Sequence, residues 1–205
     1  MTLVKFCGNR REEDIRYVIE AGGDLAGFIL TKGFKRTVDP MTVRELSKDL
    51  PESIRKVGVF VNEPLEDLAK TASEADIDII QLHGDEDNDH IKKLRELLPG
   101  KKIIKVFIVK TEDDIRRANE SSADLVLLDA GVGGSGRAFD HSLIKGISRD
   151  FILAGGLNDE NVSEAIKNAG PHLMGVDVSS GVETDGYKDR EKMIRFSRKA
   201  KRLES

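Results

Sequence analysis

Cys7, the only cysteine of the chain, ends one short β-branched run, and Asp129 ends another much further along. A thiol and a carboxyl that face each other across a ligand suit proton transfer at two different atoms of one substrate. A free thiol titrates near about 8.5 and a neighbouring cation favours its thiolate. Lys5, two residues back, shares the face of Cys7 on a strand. A lone buried cysteine is more often inert packing, so the pair takes its meaning from its surroundings. Sorting the other strands by their period of two adds Gln81, His83, Lys105, Asp177 and Ser179, all near C-terminal strand ends and opposite the aliphatic residues that helices would cover. Any one of these alone reads as a satisfied polar cap on a core. Lys5, Lys105, Asp129 and Asp177 placed together around one mouth carry a desolvation cost that a charged ligand would offset. By strand order His83 lies half a barrel from Cys7, which disfavours Cys/His nucleophilic hydrolysis.

Two strand ends rich in small residues narrow the ligand. Ala154-Gly155-Gly156 leads to Asn158, and Ser179-Ser180-Gly181 follows the last strand. In barrels the loops after strands seven and eight, with the start of a short extra helix, form phosphate cradles from backbone N–H groups, and glycine admits the anion closely. Ordinary turn glycines are the plainer reading. Gly131-Val132-Gly133-Gly134-Ser135-Gly136 follows Asp129, but it lacks the spacing and the first-βαβ position of a dinucleotide fingerprint. A lid over the site and a plain flexible connection both suit it.

The elements that would position these groups alternate strictly. Strands are expected at Val4 to Cys7, Leu25 to Leu30, Lys56 to Val61, Ile77 to His83, Ile103 to Val109, Asp124 to Asp129, Phe151 to Gly155 and Leu173 to Val178. Helices are expected from Arg11, Met41, Leu65, Asp87, Glu112, His141, Asp159 and Lys188 onward. Eight β-then-α units imply a parallel sheet, and their number is what closes a (β/α)8 TIM barrel, with an open doubly wound sheet as the alternative. No linker or charge break divides the chain, so residues 1–205 read as one domain, and no internal two-fold repeat is evident.

Composition sets the outer bounds. The 205 residues are 39% apolar, enough for one core, and 33 basic against 37 acidic side chains leave a net charge of -4, which argues against nucleic acid as the main ligand. The charge runs are sign-interleaved, as in Arg10-Arg11-Glu12-Glu13-Asp14, the pattern of solvated helix faces. The first twenty residues lack a secretory pattern and no apolar run spans a bilayer, so neither export nor a membrane is expected. A single cysteine fits a reducing compartment and a cytoplasmic location.

The chain resembles the phosphoribosylanthranilate isomerase family, a family of (β/α)8 enzymes of tryptophan biosynthesis. The matching segments are Lys5-Phe6-Cys7-Gly8, Val57 to Asn62, Gln81-Leu82-His83-Gly84, Leu127 to Asp129, Gly133 to Gly136 with Phe139-Asp140, Leu153 to Leu157 with Glu160-Asn161-Val162, and Asp177 to Glu183, in the family's order over nearly the whole chain. The resemblance implies an Amadori rearrangement of phosphoribosylanthranilate, with Cys7 as general base, Asp129 as general acid and no metal or organic cofactor. It implies Arg36 for the anthranilate carboxylate, which a guanidinium holds in bidentate fashion. It further implies Gly155, Gly156, Ser179, Ser180 and Gly181 for the phosphate, Asp177 for the ribose, and Gln81 and His83 as a polar wall. The expected partner is the small-molecule substrate, and the protomer is a monomer or a homodimer.

The chain departs from the family pattern at Asn9-Arg10, Phe34, His141 and Asp185, none of them the presumed acid or base, and the first two border the anthranilate pocket. A related barrel isomerase acting on the histidine-pathway aminoaldose would carry aspartate where Cys7 stands. A silent sugar-phosphate sensor would keep the cradle and lose the acid or the base.

Overall fold

The computed structural model describes residues 2–129 and 143–201. Eight parallel strands, β1 (Leu3–Cys7), β2 (Leu25–Ile29), β3 (Arg55–Phe60), β4 (Ile79–Leu82), β5 (Lys102–Ile108), β6 (Leu125–Asp129), β7 (Phe151–Ala154) and β8 (Leu173–Val178), form a closed barrel in sequence order. Leu3 to Phe6 of β1 pair with Gly175 to Val178 of β8. That pairing closes the cylinder and excludes the open sheet.

The outer layer comprises α1 (Glu12–Glu20), α2 (Pro40–Leu46), α3 (Leu65–Glu74), α4 (Asn88–Leu97), α5 (Glu112–Asn119), α6 (Val162–Asn168) and α7 (Arg190–Ala200). Their starts follow from local chemistry. Asp39 accepts from Thr42 N ahead of Pro40, Asp87 accepts from His90 N, and Asp189 accepts from Lys192 N, each satisfying an amide that the first helical turn leaves without a partner. Each helix buries one narrow stripe, such as Ile91 and Leu94 of α4 or Met193, Phe196 and Ala200 of α7. Leu94 is fully buried, and its burial stabilises the fold by about 1.5–3 kcal/mol.

Strand parity divides the apolar residues into two cores. Val4, Phe6, Ala26, Phe28, Ile80, Leu82, Val126, Leu128, Val176 and Val178 face the helices in the large core. Leu25, Val57, Ile104, Val106, Leu127, Ile152 and Ala154 fill the bore.

The structure departs from the sequence-based expectation at three places. The helix expected from Asp159 begins at Val162, because the Asn158 side chain accepts from Glu160 N and Asn161 N and holds that stretch in a turn. The helix expected from His141 starts outside the described residues, and its described remainder is a single 3-10 turn, Leu143–Gly146. After β8 comes another 3-10 turn, Ser180–Val182, and then a two-stranded hairpin, β9 (Glu183–Thr184) and β10 (Tyr187–Lys188), that the periodicity did not predict.

Candidate active site

Above the bore, at the C-terminal strand ends, lies a cavity of about 260 Å3. Cys7 enters it from β1, Gln81 and His83 from β4 and the residue beyond it, Asp129 from β6 and Asp177 from β8. Gly155, Gly156, Ser179, Ser180 and Gly181 close one side, while Ile29, Val59 and Ala154 supply apolar wall. Ten of the eleven candidate residues therefore line one space. Arg36 is the exception.

Beneath the cavity the Lys5 ammonium is fully buried and donates to Asp177 Oδ1 at 2.6 Å. Burial alone would lower the pKa of this ammonium; the Asp177 charge, then Cys7, outweigh burial, and the net shift is upward. Gly27 of β2 makes room for the pair, since a Cβ there would lie 2.9 Å from Cys7 Sγ and 3.1 Å from Lys5 Nζ. Burial holds the His83 imidazole below its ordinary value, against the opposing pull of Asp129 and Asp177. His83 is therefore a neutral ring at neutral pH. Gln81 is buried, its Oε1 has no hydrogen-bond partner among the described residues, and its Nε2 lies 3.5 Å from His83 Nδ1.

Lys105 does not belong to this mouth. Its neighbours Ile104 and Val106 point into the bore, so the intervening side chain points outward, between Ile103 and Phe107 of the helix-facing core. There its ammonium donates to Gly84 O at 2.6 Å and Glu86 Oε2 at 3.0 Å. The expectation failed because β5 was sorted by polarity, whereas its pleat follows the aliphatic residues that fill the bore.

The loops after β7 and β8 are built against each other. A Cβ on Gly181 would lie 1.8 Å from the Leu157 carbonyl oxygen, so only glycine permits this approach. Gly155 and Gly156 have φ of 96° and 63°, and Asn161 Nδ2 ties Gly156 O to the start of α6. The glycine-rich stretch from Gly131 to Gly136, read as a lid or a plain connection, lies outside the described residues, as do Phe139, Asp140 and His141. Asn9, one of the departures from the family pattern, is fully buried and donates to Phe6 O and Gly27 O, joining the ends of β1 and β2 without lining the cavity.

Arg36 lies beside the cavity and grips Glu183, Nε to Oε1 at 2.8 Å and Nη2 to Oε2 at 2.6 Å. Glu183 Oε1 also accepts from the buried Lys188 ammonium at 3.0 Å. Sequence reasoning assigned no functional role to Glu183 and placed Lys188 at the start of the last helix, which begins instead at Arg190 because Asp189 caps it. Both sit in the two-residue strands of the hairpin, too short for any periodicity to mark.

A closed parallel barrel whose C-terminal mouth brings a thiol, two carboxyls, a neutral imidazole and two glycine- and serine-rich loops onto one cavity is a (β/α)8-barrel enzyme, built for a small anionic ligand. The sequence model of N-(5'phosphoribosyl)anthranilate (PRA) isomerase matches residues 4–199. The chain belongs to the N-(5'-phosphoribosyl)anthranilate isomerase family. A relative of that name from Acetivibrio thermocellus is 43% identical over 98% of this chain and 96% of its own length. The crystal structure of phosphoribosyl anthranilate isomerase from Thermotoga maritima superposes with a TM-score of 0.87 at 38% identity, covering 99% of this chain and all of that one. Another phosphoribosyl anthranilate isomerase, solved in complex with reduced 1-(o-carboxyphenylamino)-1-deoxyribulose 5-phosphate, superposes at 0.84 with 37% identity over 99% of this chain and all of its own.

Proposed function

We propose that this enzyme rearranges N-(5'-phosphoribosyl)anthranilate to 1-(2-carboxyphenylamino)-1-deoxyribulose 5-phosphate in tryptophan biosynthesis, with Asp129 as general acid and Cys7 as general base. The observation that carries the assignment of roles is that both residues line one cavity with the loops after β7 and β8. Asp129 protonates the furanose ring oxygen and the C1–O bond breaks, giving the protonated Schiff base. The Cys7 thiolate then removes the proton from C2, and the electron pair moves into the imine. The enolamine that results tautomerises to the ketone. The protonated imine is itself the electron sink, so no step calls for a metal or an organic cofactor.

The backbone amides at Gly155, Gly156 and Ser179 to Gly181 receive the phosphate, with the close-packed Gly181 and Leu157 keeping the two loops at a fixed separation. Asp177 faces the ribose, held in place by Lys5. Neutral His83 and Gln81 offer the sugar hydroxyls a donor and an acceptor. Arg36 receives the anthranilate carboxylate. The lone thiol supports a cytoplasmic setting, where it stays reduced.

The test follows the loss of anthranilate fluorescence as freshly made phosphoribosylanthranilate is consumed. Turnover by the parent that falls by about 10²–10⁴ in both Cys7→Ser and Asp129→Asn is the expected result. A parent that leaves the substrate unchanged from neutral to mildly alkaline pH sinks the reading, and turnover that survives Cys7→Ser moves the base elsewhere.

A further inference from the structure

Arg36 is held more elaborately than a surface arginine needs. A guanidinium has five N–H donors in a planar fork and can present two bidentate edges. One edge, Nε with Nη2, is fully committed to Glu183. Nη1, on the other edge, donates to no protein acceptor among the described residues. The residue beneath the arm is Gly8, next to Cys7, where a Cβ would lie 2.6 Å from Arg36 Cδ and 3.3 Å from Ser179 Oγ. The arm therefore crosses between the thiol's strand end and the loop assigned to phosphate.

Glu183 is itself fixed from several sides. Its Oε1 accepts from Lys188 Nζ, its cross-strand partner in the hairpin, and the same ammonium donates to Ser179 O at 3.0 Å. Its carbonyl accepts from Lys192 Nζ of α7 at 2.8 Å. The Glu183 and Lys188 side chains are only 7% and 1% exposed. Burial works to raise the Glu183 pKa, but the Arg36 hydrogen bond and the Lys188 charge outweigh it, so this carboxyl stays ionised. Two cations thus share one carboxylate at the rim; burial lowers the Lys188 pKa, against the opposing pull of Glu183 and Cys7.

We propose that Glu183 is a positioning residue for the substrate's aromatic carboxylate: it clamps one edge of Arg36 so that the other edge is presented at the rim, and Lys188 locks the clamp to the loop after β8. The proposal rests on the reading of Arg36 as the carboxylate receptor. Through Lys188 and Ser179 it also fixes the distance between the carboxylate-receiving and the phosphate-receiving ends of the site.

The experiment compares KM for phosphoribosylanthranilate with KM for the phosphoribosyl-aniline analogue, which lacks the carboxylate. Glu183→Gln replaces one acceptor oxygen by an amide donor and breaks the fork. It is expected to raise KM for the carboxylated substrate about tenfold or more, and for the analogue less than about threefold. Arg36→Met gives the same selective rise, and adding Glu183→Gln to it raises the selectivity no further. Equal losses on both substrates, or effects that add in the double variant, overturn the positioning role and leave a merely structural one. If Arg36→Met itself is unselective, the underlying reading of Arg36 fails, an outcome distinct from a selective Arg36→Met paired with an unselective Glu183→Gln. Should Glu183→Gln not fold, Glu183→Asp takes its place: it keeps the charge but withdraws the fork by one methylene. The same selective rise is then expected, and an unchanged KM ratio overturns the proposal.

Discussion

At the N-terminal end of the barrel, Asp24, Asp78 and Asp124 each stand immediately before an even-numbered strand. Each accepts at 2.8 Å the backbone N–H of the preceding odd-numbered strand, from Val4, Lys56 and Ile103. Their own amides donate back to the carbonyls of the same three residues. Asp24 and Asp124 also pair with cations, Lys201 and Arg95. At the C-terminal end the carboxylates of Asp177, Glu86 and Glu183 are held chiefly by ion pairs, with buried Lys5, with buried Lys105, and with buried Lys188 and half-buried Arg36. The lower carboxylates extend each ladder by one rung and keep access to water, with Asp24 and Asp124 side chains 30% and 23% exposed against 2% and 7% for Glu86 and Glu183. One end uses charge to finish hydrogen bonding that the fold requires. The other accepts the desolvation cost of buried ion pairs, which strand pairing does not require. That division is the one expected of a barrel whose lower face serves stability and whose upper face serves chemistry.

Two lysines at the upper end give the sharpest way to break this contrast. Lys5→Met leaves Asp177 unpaired in the bore; urea unfolding is expected to show a loss of about 3–5 kcal/mol. Turnover of the folded variant falls about tenfold or more, because Asp177 and Cys7 lose a shared neighbour. Lys105→Met strips the partner from buried Glu86 and destabilises on a similar scale, tempered by the Asn62 and Gly84 amides that still bind that carboxylate. Since Lys105 points outward, kcat/KM at a temperature where the variant is folded stays within about twofold of the parent. Equal losses of turnover in the two variants would erase the distinction between bore and outer layer.

The same two lysines show how far the sequence could be read. Eight β-then-α units were enough for the barrel, because strand runs and helix starts are local signals. Cys7, Asp129 and Asp177 sit one to a strand at strand ends, where period and position agree. Lys105 defeated that logic: its strand is buried on both faces, so polarity alone does not reveal which face is the bore. The Arg36, Glu183 and Lys188 cluster joins residues 147 positions apart through a hairpin of two-residue strands. Such a contact follows from tertiary packing, and no window along the chain contains it. The capping aspartates were legible in retrospect as Asp24-Leu25, Asp78-Ile79 and Asp124-Leu125, a repeat through three of the four strand pairs. In the fourth, His172 takes the place and its backbone carbonyl accepts from Phe151 N.

The lower end supplies the milder tests. Asp78→Ala removes the acceptor for Lys56 N and is expected to cost about 1–3 kcal/mol in urea unfolding, with turnover unaltered, since Asp78 lies at the opposite end of β4 from Gln81 and His83. A fall in kcat/KM out of proportion to the unfolded fraction would mean that the two ends are not separable.

The smallest effect concerns acid stability. Burial pushes the Asp124 carboxyl upward, but the Ile103 amide and Arg95 outweigh it and hold its pKa below the ordinary carboxylate value. A group depressed in the folded state contributes stability that is complete above the unfolded value, about 3.9, and is lost as pH falls through the lower folded one. Asp124→Asn keeps an oxygen for the Ile103 amide but has no proton to take up. Its urea midpoint at neutral pH is therefore expected to lie slightly below the parent's, and its decline below about pH 4 to be the shallower of the two. Parallel acid limbs for parent and variant would show that this carboxylate acts at the barrel's lower end through hydrogen-bond geometry alone, without its charge.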